Sequence, residues 1–374
     1  MKTRAAILVR SGDTAPYAKS RPLEVADVDL DPPGPGEVLV RMRAAGLCHS
    51  DLSVIDGNRP RPLPMVLGHE GAGIVEELGA GVTDLRIGDH VVTAFVPSCG
   101  HCEPCEIGRP ALCEPGAASN GAGTLLSGAR RLHRGGADLN HHLGVSAFAE
   151  LATVARNSLV KIDSSLRFDE AAVFGCAVIT GTGAVINTAQ MPQERTAAVI
   201  GLGGVGLSAV LGARYQNART LVAIDLSDAK LALARELGAT HTFNARDPDC
   251  LERVRELTKG GVEYVFEMAG SQRAMELAVK ITRRGGTTVT AGLPHPSVML
   301  PMSQVTLVAE ERTLKGSYLG SCVPSRDIPR YIEWYQAGRL PVNRLLSETL
   351  ALDDINAGFD RLAGGETIRQ VITL

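Results

Sequence analysis

No uninterrupted apolar run in this 374-residue chain approaches the roughly 20 residues that a membrane-spanning helix needs. Basic charge is not in excess either. Lys and Arg number 38 against 41 Asp and Glu, leaving a formal net charge of −3. That balance argues against an electrostatic grip on nucleic acid or on an anionic membrane. The N-terminus, MKTRAAILVR, has too short an apolar segment for an export leader and reads as a first strand, so a cytoplasmic location is expected. Without export, the eight cysteines are not expected to form a disulfide framework. Four of them, Cys99, Cys102, Cys105 and Cys113, fall in one short stretch, which in a reducing compartment points to metal ligation.

What is present is the composition of a soluble globular protein, 44% hydrophobic and 21% charged. The length implies two domains, with a boundary that can be split in sequence. Residues 1 to about 95 read as short strands between Gly and Pro turns: AAILV (5–9), EVLVRMRAAG (37–46) and GAGIVEELG (71–79). The polar, Gly-rich segment 116–142 shows no clear period and reads as a long loop. Residues 165–190 turn helical. From 195 to 292 strand and helix alternate, the rhythm of a doubly wound parallel sheet, so the fold class is α/β. The last sixty or so residues return to mixed strands and helices.

The stretch from Cys48 to Glu70 gathers Cys48, His49, Ser50 and Asp51 at one end and His69 and Glu70 at the other. Taken alone it reads either as a loop with a buried Cys and two surface His or as two-thirds of a catalytic metal site that lacks one ligand. In CGHCEPCEIGRPALC (99–113) the spacing lets four thiolates converge on one Zn²⁺, leaving no open position, so that site reads as structural. His101 is expected to face solvent, and His141 and His142 to be surface histidines. Cys176, taken alone, reads as a buried core thiol. Gly201, Gly203 and Gly206 fit G-x-G-x-x-G between an apolar strand and a helix beginning near Gly204. Asp225 ends the next strand, where an acid meets the adenosine ribose hydroxyls, so a dinucleotide is expected, NAD rather than NADP.

The pattern Gly68-His69-Glu70-x-x-Gly73-x5-Gly79-x-x-Val82, the four-cysteine lobe, Cys176 and the Gly201 loop occur in an order that resembles the zinc-dependent medium-chain alcohol dehydrogenases along essentially the whole chain. The resemblance implies a GroES-like, mostly-β catalytic domain at 1–178 with a zinc lobe at 95–115. It also implies a Rossmann domain at 179–318 and a return to the catalytic domain at 319–374. Two zinc ions per chain are implied. The catalytic one would be held by Cys48, His69 and Cys176, a ligand set known for alcohol dehydrogenases. Asp51 would orient His69, Glu70 would stand beside the metal, and Ser50 would receive the alcohol proton. Ser53 stands where some members carry a relay histidine. His49, Arg369, Lys230, Thr180, Gly204 and Val205 resemble cofactor contacts. Phe95, Leu112, His142, Leu293 and Tyr318 fall at or near substrate-pocket positions, an apolar and aromatic mix suited to primary alcohols or aldehydes. A homo-oligomer, dimer or tetramer, is implied, with an interface strand near 286–320.

Two rival readings stand beside this one. A glutathione-dependent formaldehyde dehydrogenase would share the apparatus, but Ala117 and Arg59 occupy positions where that branch carries an arginine and an acid. A non-catalytic zinc and NAD(H) redox sensor would account for Ser53 and for the unassigned Cys250 and Cys322, yet it needs no open metal position.

Overall fold

A computed structural model describes residues 1–374. The chain divides into two compact units, the first formed by Met1–Cys176, Val323–Ile332 and Leu346–Leu374, the second by Ala177–Cys322 and Glu333–Leu345. No single helix is long and apolar enough to cross a membrane.

The first unit is mostly β. Strands Lys2–Leu8, Leu23–Leu30, Leu132–Arg134, Ala137–His141 and Met65–Val66 close a small barrel. A larger sheet runs from Leu159–Lys161 through His90–Thr93, Glu70–Leu78, Glu37–Gly46 and Arg369–Thr373 to Leu346–Ala351, and Leu151–Ala155 also pairs with Glu37–Gly46. Strand Glu37–Gly46 is the hub. Val38, Val40, Met42 and Ala44 are buried while Arg41 and Arg43 face outward, the alternation of a strand with one face on a core. Val38, Val40 and Met42 join Leu47, Leu52, Leu67, Phe148, Phe359 and Ile372 in one cluster. Each such side chain is worth about 1.5–3 kcal/mol on burial.

Register then places chemistry. Gly46 pairs with Glu70 on one side and with Val371 on the other. The chain leaving that strand at Leu47 and Cys48 therefore emerges beside His69 and Glu70, with Arg369 beginning the neighbouring strand.

Two expectations need correction here. Segment 116–142 is not a structureless loop. It forms helix Glu114–Ala122, begun by Pro115 and ended at Gly123 in the left-handed conformation, then a hairpin between Leu132–Arg134 and Ala137–His141. His141 and His142 are not surface residues, being 0% and 1% exposed. His141 lies in the barrel strand, where its Nε2 accepts the Arg131 N–H at 3.1 Å.

The second unit is a six-stranded, all-parallel sheet in the order His241–Asn244, Thr220–Asp225, Thr196–Ile200, Val262–Glu267, Thr282–Thr290, Thr313–Gly316. Numbered along the chain this is 3-2-1-4-5-6, the doubly wound arrangement whose strand order reverses beside the first strand. Apolar runs such as TAAVI are buried on both faces, as parallel strands flanked by helices must be. The return expected for 319–374 is interrupted, because residues 333–345 pack with this second unit. There Trp334 stacks on Tyr215 at 3.9 Å, Arg339 lies 4.5 Å over the same ring, and Leu340 is fully buried.

Candidate metal centre and nucleotide loop

Cys48, in extended conformation, immediately precedes helix His49–Ile55. His69 stands between Gly68 and strand Glu70–Leu78. Gly68 has φ +91°, and a Cβ there would press into the Phe148 backbone nitrogen and ring, so only glycine lets the chain turn His69 inward. Cys176 falls at a break between the helical turns Val173–Gly175 and Ala177–Gly183, with φ −139° and ψ −70°. That break is what frees its side chain from a helix face.

The ligand atoms of Cys48, His69, Glu70 and Cys176 lie within 4.8 Å of one another, and all four residues are buried. Both cysteines are free thiols. His69 Nδ1 is 3.2 Å from Asp51 Oδ1, while its buried Nε2 has no hydrogen-bond partner. An orphaned imidazole nitrogen beside two buried thiols that form no disulfide is costly unless something fills the gap. Zinc fits this donor set, two sulfurs and one nitrogen, because the Asp51 contact at Nδ1 leaves Nε2 to face the metal. Against burial, Asp51 and Cys48 raise the His69 imidazole well above its ordinary value, and a zinc ion at Nε2 would take the place of that proton.

The surrounding charges are ordered. Burial opposes the charge on Asp51, but His69 and His142 outweigh it and hold the carboxyl at about 2. Asp51 also accepts the Gly68 N–H at 3.0 Å. Glu70 Oε1 sits 3.2 Å from Arg369 Nη2. Burial pushes the Glu70 carboxyl up to about 8 against the pull of Arg369, with the Cys48 charge adding to the rise. Arg369 Nη1 donates to the Leu47 carbonyl at 2.7 Å, so the guanidinium is fixed beside Glu70 and Cys48. The Cys48–Cys176 hydrogen bond lowers Cys48 well below an ordinary thiol and raises Cys176 well above one.

Phe95 and His142 both meet the His69 ring edge-on, with centroids 5.5 Å away in each case. Leu112 is 43% exposed in the turn Pro110–Leu112 of the cysteine lobe. Ser50 lies half-buried in the first turn of helix His49–Ile55, and His49 is exposed. The Ser53 hydroxyl donates to the His49 carbonyl at 2.8 Å.

In the lobe the sulfurs of Cys99, Cys102, Cys105 and Cys113 lie within 4.8 Å of one another. Zn–S bonds of about 2.3 Å in a tetrahedron would set neighbouring sulfurs about 3.8 Å apart; the Cys102–Cys105 separation is 3.5 Å. Backbone N–H groups of Cys99 and Gly116 donate to Cys113 Sγ at 3.1 and 3.3 Å, opposing the rise that burial imposes on this thiol. His101 points elsewhere, exposed and bonded to the Cys99 carbonyl.

The second unit carries the glycine loop. Gly201 has φ +87° and packs against Ala269; a Cβ on Gly206 would overlap the Gly201 carbonyl. Beside Gly203 there is open space. Gly204 and Val205 begin helix Gly204–Tyr215, whose first N–H groups suit a phosphate. Asp225 Oδ2 accepts the Leu202 N–H at 2.6 Å and Oδ1 the Ser227 N–H at 2.9 Å, so the acid also ties down the loop. Lys230 lies in the first turn of helix Asp228–Glu236. Thr180 Oγ1 is buried without a partner. Leu293 and Tyr318 are 53% and 40% exposed.

Glu267 was missed by sequence reasoning. It ends strand Val262–Glu267, 1% exposed, and accepts the N–H groups of Ala269 and Gly270 at 2.8 and 2.7 Å. It thereby shapes the turn that packs on Gly201. The signal was available, an acid ending an apolar strand, as at Asp225.

Residues 34–164 match the alcohol dehydrogenase GroES-like domain, and residues 204–337 match the zinc-binding dehydrogenase domain. An NDMA-dependent alcohol dehydrogenase of Amycolatopsis methanolica is 38% identical over 376 residues, covering 100% of this chain and 99% of its own. The chain belongs to the zinc-dependent medium-chain dehydrogenase family. Another member, an S-(hydroxymethyl)glutathione dehydrogenase of Paracoccus denitrificans, is 35% identical over 382 residues with full coverage of both chains. Among solved structures, benzyl alcohol dehydrogenase from Acinetobacter calcoaceticus superposes with a TM-score of 0.93 at 32% identity, covering 100% of this chain and 99% of that one. As a member of this family the protein is a zinc-dependent oxidoreductase interconverting alcohols with aldehydes or ketones.

Proposed function

We propose that this dehydrogenase is NAD-dependent and holds two zinc ions per chain, a catalytic one at Cys48, His69 and Cys176 and a structural one at Cys99, Cys102, Cys105 and Cys113. The observation that carries the reading is the buried, unpartnered Nε2 of His69 among two free thiols, with Asp51 fixing the tautomer. Zinc supplies a Lewis acid for the substrate oxygen, and NAD supplies the hydride acceptor.

The protein's own groups do the rest. Asp51 holds the His69 ring, and Arg369 offsets Glu70 beside the ligands. Ser50 receives the alcohol proton and, being a weak base, must pass it on. Ser53 is not the next carrier, because its hydroxyl is bonded within the helix. The glycine loop and helix Gly204–Tyr215 cradle the pyrophosphate, with Gly203 leaving room for it. His49 and Arg369 are further pyrophosphate contacts, the latter competing with its bond to Glu70. Asp225 binds the ribose hydroxyls and repels a 2′-phosphate, while Lys230 flanks the adenosine end. Thr180 and Val205 contact the nicotinamide.

Phe95, His142, Leu112, Leu293 and Tyr318 suit primary alcohols with apolar or aromatic substituents, and the benzyl alcohol dehydrogenase likeness supports aromatic ones. Ala117 and Arg59 weigh against hydroxymethylglutathione. Exposed Met299, Val305 and Val308, close to the edge strand Thr313–Gly316, support a homo-oligomer. Cysteines gathered as metal ligands fit the cytoplasm.

A panel of aliphatic, allylic and aromatic aldehydes with NADH, and the matching alcohols with NAD, NADP or NDMA, tests the reading beside zinc analysis. The expected result is NAD-linked turnover greatest on aromatic or long-chain substrates, with two zinc ions per chain. Turnover of hydroxymethylglutathione exceeding every simple alcohol, or preference for NADP, would overturn it.

A further inference from the structure

Asp51 touches two imidazoles, not one. Its Oδ1 is 3.2 Å from His69 Nδ1 and 3.0 Å from His142 Nδ1. The second approach is an electrostatic contact off the line of an aligned hydrogen bond. All three side chains are buried, and the His142 ring also packs edge-on against His69.

The backbone fixes this triangle. His141 pairs with Val66, and the His142 N–H donates to the Ser146 hydroxyl at 3.1 Å, whose Oγ in turn bonds the Val66 carbonyl at 2.9 Å. Both histidines therefore hang from the short segment that runs from Val66 to His69. An ionised carboxylate with no exposure needs its charge met on more than one side, or it turns toward whichever group will meet it. The Gly68 N–H and His69 meet it from one segment, and His142 meets it from another.

We propose that His142 is a positioning residue for the metal ligand His69, acting through Asp51. The proposal rests on reading Cys48, His69 and Cys176 as a zinc site, and is independent of which alcohol is used.

The test compares purified wild-type holoenzyme with His142→Phe, which keeps a ring against His69 but removes its nitrogens, and His142→Asn, which restores a polar N–H group. Loss of zinc to a chelator is followed over time, with the cysteine-lobe zinc as internal reference. The visible spectrum is recorded after Co²⁺ replacement, and kcat and KM are measured. His142→Phe is expected to weaken retention of the Cys48-site metal about tenfold, the lower end for removal of a ligand-orienting partner. It should also shift the cobalt spectrum and lower kcat with little change in KM, and His142→Asn should recover most of each effect. If His142→Phe is recovered unfolded, His142→Leu provides the same comparison. Wild-type metal retention and spectrum in the loss variant overturn the proposal, as does a rise in KM alone, which would make His142 a pocket wall only. A wild-type enzyme without alcohol turnover would refute the functional reading, while metal retention still decides this one.

Discussion

Replacing Asp225 tests cofactor choice and loop architecture together, because its carboxylate has two roles. It is positioned for ribose hydroxyls, and it accepts the Leu202 and Ser227 N–H groups at 2.6 and 2.9 Å. Asp225→Asn keeps an oxygen for the backbone but removes the charge. Losing charge assistance to the ribose should cost NAD about 1 kcal/mol. A unit charge about 5 Å from a 2′-phosphate at an effective dielectric near 20 repels it by roughly 3 kcal/mol, and solvent screening at this half-buried site reduces that to about 2. Together the preference for NAD over NADP should fall by about 3 kcal/mol, roughly a hundredfold in the ratio of kcat/KM values. Asp225→Gly should relax the preference similarly but also release both backbone N–H groups. That costs about 2 kcal/mol after allowance for partial exposure, or about 4–8 °C of Tm for a unit of this size. Steady-state kinetics with both cofactors and thermal unfolding of both variants provide the readouts. An unchanged cofactor ratio in Asp225→Asn would refute the ribose role. A Gly variant as stable as wild type would refute the loop-anchoring role.

Further outcomes follow from the same geometry. Cys176→Ser should abolish hydride transfer and reduce zinc to about one ion per chain by the ligand count, while NADH binding followed by fluorescence stays near normal; lost NADH binding with intact turnover would reverse the two units' roles. Arg369→Leu removes the guanidinium's bond to the Leu47 carbonyl and its contact with Glu70 and should cost about 1–3 kcal/mol; because the Glu70 carboxyl is already pushed up to about 8, it stays protonated rather than standing as a bare charge, so adding Glu70→Gln should change little further in a double-mutant cycle by urea unfolding near pH 7. His141 is held neutral, burial and then nearby arginines pushing it from 6.5 down to about 3. Below pH 6.5 the unfolded chain takes up a proton that the fold refuses, so stability present above 6.5 is lost toward pH 3. The slope is about 1.4 kcal/mol per pH unit for one proton. In His141→Gln the acid limb of a stability–pH profile should flatten; an unaltered limb would show that other groups set it.

Local features were legible because their signals are contiguous. Strand Glu37–Gly46 alternates through its middle, from Val40 to Ala44, the four lobe cysteines fall within one short segment, and the glycine loop lies between a five-residue buried strand and its helix. Segment 116–142 hides its structure from sequence because helix Glu114–Ala122, after Glu114 and Pro115, is built from Gly, Ala, Ser and Asn with no apolar stripe, and the strands that follow are only three and five residues long. The Gly135–Gly136 turn was the overlooked sign of a hairpin.

By itself the sequence determined the fold class, the four-cysteine lobe and the glycine loop, since each depends on residue type at short spacing. Tertiary structure alone decided that His141 and His142 are buried, that Asp51 stands between two imidazoles, that Arg369 pairs with Glu70, and that residues 333–345 pack on Tyr215. Those facts depend on strand register and on contacts between distant segments. Gly46 opposite both Glu70 and Val371, and Val66 beside His141, are pairings that no local spacing records. Burial and charge pairing arise only when such pairings close around a group, which is why these roles appear in the folded chain.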